Sequence, residues 1–320
     1  MSLPSGSPRL DAAESAFVER ALLYVESETY NTMFPPLEGR RFVPVDNKAP
    51  PGAKFTSYKQ YTRTGIARLV TERGQDLPTA GIFVKEFFHP FFRLGMSYEY
   101  TLDDLLAAQM SAQNGGPALN IDLEEAMAAR EGIEKKLDNI ARVGSADGLS
   151  PDVGLLGLLN QPNATLYTVA NGAGGLATWA SKTPDEVIAD MTGIVAAQIA
   201  ATFKVETPDT LLLPITQYET IAGRSMGDGR SDTILSYFLK ITRHITMIDS
   251  WQFLTGAGAG GTDRMIAYKK DPRKVRHLIS QEFTQMPPRY ENFVFTTECT
   301  AKSAGVVCPY PLSVSYGDGI

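Results

Sequence analysis

The sequence predicts an α+β fold. Three observations predict it. Helical and extended patterns follow no βαβαβ rhythm, and no internal repeat is present. Residues 53–95 are dominated by two extended stretches rich in Tyr, Thr, Val and Phe. Residues 119–143 carry the longest helical pattern in the chain.

Each element has a local cause. Residues 1–10 read as a flexible tail, and Asp11 to Tyr30 as a helix with Phe17, Ala21 and Val25 on one face. Pro35 and Pro36 stop it. Arg41 to Val45 is expected as a short strand, and Asn47 to Gly52 as a breaker. The 53–95 segment is expected as a long β-hairpin whose polar tip runs from Glu72 to Pro78. Its first arm carries Lys54, Lys59, Arg63, Arg68 and Arg73, against Glu72 and Asp76, a balance of +3 over residues 54–76.

Thr101 caps a helix whose first turn holds Asp103 and Asp104, and Asn114 to Pro117 interrupt it. In the long helix that follows, Ala126, Ala129, Ile133, Leu137 and Ile140 form the apolar stripe. Residues 101–150 hold nine acidic and four basic residues, a balance of −5. Thr183, Pro184 and Glu186 make a capping box for a helix to about Phe203, with Val187, Met191, Ile194, Val195 and Ile199 inward. Thr210 to Pro214 is a buried strand, and helices are expected at 214–221 and 232–242. Arg264 to Tyr268 is a strand. Asn292 to Thr300 and Val306 to Tyr316 are expected to pair as a C-terminal hairpin turning at Ala301 to Gly305.

Composition narrows the function. The chain has 320 residues, enough for one large or two modest domains. A net charge of −6 argues against nucleic-acid binding by the whole surface, though one face can still be basic. Cys299 and Cys308 are too few for a disulfide scaffold, and the expectation is two small buried residues that could face each other across the C-terminal hairpin. Residues 1–9 lack the apolar core of a secretory signal, and no run approaches the roughly 18 apolar residues that span a bilayer. The expectation is a soluble protein made in a reducing cytoplasm, with no membrane partner.

Catalytic signals are weak. Gly256 to Gly261 match the bare spacing of a dinucleotide fingerprint, but a strand follows where a helix is required, and the Lys of a phosphate loop is missing. The run reads as a compliant loop, variable between subunits. His89, His244 and His277 have no partner at metal-ligand spacing. The paired carboxylates sit in first helical turns, where the helix dipole explains them. No catalytic, cofactor or metal site is assigned.

Several stretches carry a resemblance. They are Ala21–Glu26, Thr207–Pro214, Gly256–Ala267, Phe283–Pro288 and Tyr310–Ile320. With the element order, they resemble the major capsid protein of tailed double-stranded DNA bacteriophages, the Hong Kong 97-type capsid fold. That resemblance implies an N-terminal arm at 1–50, an extended E-loop at 53–95, and a peripheral (P) domain at 96–151 with a spine helix. It implies an axial (A) domain at 152–265, then return strands and a C-terminal hairpin of the P domain at 266–320. Lys302 would lie at the hairpin turn, near a three-fold contact.

The implied function is a shell of pentamers and hexamers enclosing DNA. Inter-subunit contacts are expected at Lys54, Lys59, Arg63, Arg68, Arg73, Glu124, Glu131, Glu134 and Lys302. Implied partners are other copies of the chain, a portal protein, a separate scaffolding protein, a decoration protein, and packaged DNA held weakly. No cross-linking partner motif matches Lys54 or Lys59. Two alternatives stand beside this: a nanocompartment shell of the same fold, and a nucleotide-dependent enzyme using 256–261.

Overall fold

The computed structural model describes residues 35–69, 77–113, 120–145, 154–227 and 229–320. The helix expected over 11–30, most of the N-terminal arm, the 114–117 break, and the hairpin tip with Arg73 lie wholly or largely outside these residues.

Two five-stranded sheets organise the chain. The first contains β1 (Val45–Asp46), β4 (Phe92–Thr101), β11 (Arg276–Gln285), β12 (Arg289–Glu291) and β13 (Val294–Val307). The second runs β5 (Thr165–Thr168), β14 (Val314–Asp318), β10 (Arg264–Tyr268), β6 (Thr210–Leu213) and β9 (Met247–Ser250). A separate two-stranded ribbon pairs β2 (Phe55–Thr64) with β3 (Gly81–Pro90), and a short one pairs β7 (Ser225–Gly227) with β8 (Arg230–Thr233).

The first sheet is covered by the longest helix. After α1 (Gly39–Phe42) and α2 (Leu102–Gln113), α3 spans Ile121–Val143. Ala129, Ile133 and Leu137 pack on Tyr98, Ile279, Cys299 and Ala301 of the sheet. The expected stripe is therefore the buried one, because positions three and four apart share a helix face. Thr101 opens α2 as expected: its hydroxyl accepts from Asp104 N at 3.2 Å, and Asp104 Oδ2 accepts from Thr101 N at 3.0 Å.

The end of α3 ties the two sheets together. A helix leaves its last four carbonyls without partners inside the helix. Here Ile140 O accepts from Gly144 N, Ala141 O from Leu158 N, and Arg142 O from Leu159 N. Val143 O accepts from Asn160 Nδ2 at 2.8 Å. The donating segment then enters the core, since Leu158 and Leu159 pack with Trp251, Ile266 and Tyr316 of the second sheet's region.

The second sheet is covered by α4 (Pro184–Ala201), α5 (Ile215–Gly223) and α6 (Ile234–Ile241). The predicted capping box forms: Thr183 N donates to Glu186 Oε2 at 2.8 Å, and Glu186 N to Thr183 Oγ1 at 3.4 Å. Strand β6 is buried at every position, as its continuous apolar run requires between two strand neighbours and two covered faces.

Two expectations fail. Arg41–Val45 is not one strand: α1 ends at Phe42 and β1 begins at Val45. The buried Asp138 carboxylate accepts from Gly39 N at 2.5 Å, and this tertiary bond holds the helical turn. The C-terminal hairpin also does not exist. Residues 294–307 form one continuous strand, and β14 pairs with β10 and β5 in the other sheet.

The cause of the second error is Gly305. Its positive φ of 78° serves a β-bulge, where Leu278 pairs with Gly305 and Ile279 with Ser303. Lys302 consequently sits mid-strand and donates to Pro51 O at 2.6 Å. Cys299 and Cys308 are both buried and free, and lie in different clusters.

Candidate assembly surface

The β2–β3 ribbon is antiparallel, with Phe55 opposite Pro90 and Thr64 opposite Gly81. Directly opposed residues share a face. One face collects Phe55, Phe88, Lys59, Glu86, Tyr61, Val84, Arg63 and Ile82. The other face, at its base, stacks Tyr58 on Phe87 and His89 at 5.1 and 5.6 Å, and Tyr58 packs on Leu278, Ala304 and Val307.

The two faces therefore differ in partnership. The base of the second is docked on the chain's own body. On the first, Phe55, Tyr61, Ile82 and Phe88 are 64–66% exposed and Val84 is 54% exposed. Exposed apolar side chains interleaved with charge on a lone ribbon mark an interaction site.

A second exposed surface is acidic and apolar. Leu102, Leu106 and Met110 follow one another at four-residue spacing along α2 and are exposed; so are Leu123 and Met127 on α3. Asp103, Asp122, Glu124 and Glu125 are exposed among them. The ribbon carries basic residues beside apolar ones, and the helices carry acidic residues beside apolar ones.

Within the subunit the glycine run forms a hydrogen-bonded turn. Gly256, Gly260 and Gly261 adopt φ of 68°, 70° and 77°, which favours glycine. Gly256 N donates to Asp263 Oδ1 at 2.9 Å, and Ala259 N to Asp318 Oδ2 at 3.0 Å. Arg264 grips Asp318 through two hydrogen bonds of 2.6 and 2.8 Å. Amides that a phosphate would need are thus occupied by the chain's own carboxylates.

Asp318 gives this turn a pH dependence. Burial raises its affinity for a proton, but the Arg264 guanidinium and the Ala259 amide outweigh burial and hold it below the ordinary 3.8. A lowered folded-state value means the carboxylate stabilises the fold above its unfolded pKa, and that contribution is lost as pH falls through the folded value. Asp318→Asn is expected to lower the thermal unfolding midpoint at neutral pH, with a deficit that shrinks as pH falls below 3.8. A deficit independent of pH would contradict this role.

A histidine–hydroxyl pair among the described residues that resembles a nucleophile arrangement is sealed. His277 Nε2 lies 2.9 Å from Ser303 Oγ, both residues are fully buried, and burial pushes His277 down to about 3. Among the described residues, no group of His, Cys, Asp and Glu is placed to hold a metal.

The sequence profile described as "Major capsid protein" matches residues 65–320. The chain belongs to the major capsid protein family.

Solved structures agree on the fold. The capsid of Myoviridae phage XM1 superposes with a TM-score of 0.80 at 19% identity, covering 94% of this chain and 98% of that one. A structure titled Mycobacterium phage Ogopogo gives 0.60 at 11% identity, covering 95% and 98%. The virus-like particle from Pyrococcus furiosus gives 0.51 at 12% identity, covering 87% and 91%. No curated protein matches by sequence. The fold of this capsid protein is the tailed-phage, Hong Kong 97-type α+β fold.

In this major capsid protein the sequence-predicted contact residues divide. Lys59 and Arg63 lie on the exposed apolar face of the ribbon, Lys54 is exposed at its base, and Arg68 is exposed beyond β2. Glu124 is exposed on α3. Glu131 pairs with Lys135 at 2.8 Å, and Glu134 with Arg40 at 3.0 Å, so both already serve the subunit's own fold. Sequence reasoning missed the apolar components: Tyr61, Ile82 and Val84 on the ribbon, and Leu106, Met110 and Met127 on the helices.

Proposed function

We propose that many copies of this capsid protein form the closed icosahedral head of a tailed phage around double-stranded DNA, through pentamers and hexamers. The ribbon is the arm each subunit lays on the α2–α3 surface of a neighbour. The observation that carries this is the exposed cluster of Tyr61, Ile82 and Val84 on one ribbon face, which is unpartnered among the described residues.

Residues 1–50 are the N-terminal arm and 53–95 the E-loop in this reading. The P domain is built on the first sheet with α3 as its spine, and the A domain on the second sheet. Strand β14 then belongs with the A domain, because its partners β10 and β5 do. The role is structural and not catalytic, a reading supported by the self-occupied amides of the glycine turn. A portal protein, a separate scaffolding protein and a decoration protein are proposed partners on family resemblance. Assembly takes place in the host cytoplasm. Contact with DNA is weak and independent of sequence, as expected of a chain with net charge −6.

Charge reversal tests the arm. Arg63→Glu combined with Arg68→Glu is expected to leave a folded subunit that elutes from gel filtration as small species while the wild type elutes as shells or rings. Elution of the variant with the wild type would count against the assignment.

A further inference from the structure

The interface between α4 and the second sheet contains buried polar atoms that the protein itself leaves without partners. Gln198 is fully buried on α4, and among the described residues neither Oε1 nor Nε2 of its side chain has a protein hydrogen-bond partner. The hydroxyls of Thr165 and Ser315 are buried without a protein partner as well. Buried polar groups are nearly always hydrogen-bonded, so four such atoms in one place require an occupant.

They are in one place. Thr165 and Ser315 are register partners on the parallel strands β5 and β14. Two residues further on, Tyr167 and Gly317 face α4: the Tyr167 hydroxyl lies against Gly193, and a Cβ on Gly317 would meet Ile194 Cδ1 at 3.2 Å. Side chains alternate along a strand, so Thr165 and Ser315 face α4 too.

The helix also runs the right way. Glu186, in the first turn of α4, accepts from Ala173 N at 2.7 Å, and Gly193 meets Tyr167, so α4 advances as β5 recedes. One turn beyond Ile194 is Gln198, about 6 Å on, which matches the two-residue step from Gly317 back to Ser315. Ala267 is the register partner of Ser315 on β10. Thr165, Ser315 and Ala267 therefore form a row of short side chains beneath the Gln198 amide.

We propose that this row and the Gln198 amide form an internal hydration site, in which an ordered water bridges the amide to the hydroxyls of Thr165 and Ser315. Buried waters typically make about three hydrogen bonds to groups of this kind. The donor set is an amide and two hydroxyls, all neutral, which suits water and lacks the carboxylates a divalent cation takes.

Two measurements test it. A density map of the assembled protein that resolves ordered solvent should show a peak within hydrogen-bonding distance of the Gln198 amide and both hydroxyls. A dry site, or Gln198 bonded directly to either hydroxyl, overturns the proposal. Denaturant unfolding of the isolated subunit gives the second readout, with Gln198→Leu, Ser315→Ala and the double variant. A bridging water makes each single change lower the midpoint, and the double lower it by less than the sum, because the second change removes a group the first has already orphaned. Single changes that raise the midpoint and add would show that the groups were unbridged, and would overturn the proposal.

Discussion

Tyr61→Asp combined with Val84→Asp is expected to abolish shell formation while leaving the subunit folded. The two residues are opposite each other across the ribbon and mostly exposed in the subunit. Exposed substitutions usually change stability by within about 0.5 kcal/mol. In the proposed shell the same positions would be covered by a neighbour, where an unpaired carboxylate buried in an apolar contact costs several kcal/mol unless it takes up a proton. Each 1.4 kcal/mol is about a factor of ten in association, and every subunit contributes such a contact. Circular dichroism and sedimentation velocity together read the result. Wild-type far-ultraviolet signal with no large species supports the account; large species at the wild-type level contradict it.

Gly144→Ala is expected to prevent folding. Gly144 ends α3 with φ of 67°, and a Cβ there would lie 2.1 Å from Leu155 O and 2.6 Å from Leu155 C. With ψ of −130° the residue sits outside the left-handed helical region, in a part of backbone space used almost only by glycine, which costs another residue about 1–3 kcal/mol. The clash is with backbone, so no side chain can rotate away. Relief requires moving the 155–160 segment, which carries the donors for three of the last α3 carbonyls. A loss on the order of 4 kcal/mol or more follows, large against typical domain stabilities. Soluble yield and the unfolding midpoint measure it. A soluble variant with a midpoint near that of the wild type would show that the α3 end does not join the two sheets as described.

What could be read from the sequence was local. The α4 capping box, the α3 stripe and the uniformly apolar β6 are each set by neighbours within a few residues, and each appears where its pattern placed it. The errors arose where a local pattern has two non-local outcomes. A glycine with positive φ serves a turn or a bulge, and at Gly305 the choice is made by pairing with β11 and by the Leu156 carbonyl, which would meet a Cβ at 2.7 Å. The turn that the 256–261 run makes within the subunit depends on Asp318, 59 residues beyond Ala259, which no local pattern announces.

The assembly surface was legible in part for the same reason. The basic residues of the ribbon arm stand out in the sequence. Its apolar face emerges only once Tyr61 is set against Val84, a register that alternation within either strand does not determine. On α3, the acidic pattern was visible, but the intramolecular pairing of Glu134 with Arg40 depends on how the chain before β1 packs.

A cryo-electron microscopy reconstruction of particles formed by the wild-type chain tests the central claim most directly. The account predicts closed shells in which the ribbon face of Tyr61, Ile82 and Val84 rests on α2 and α3 of a neighbouring subunit. Shells in which that face is open to solvent, or a preparation that remains dispersed under assembly conditions with its partner proteins, would contradict it.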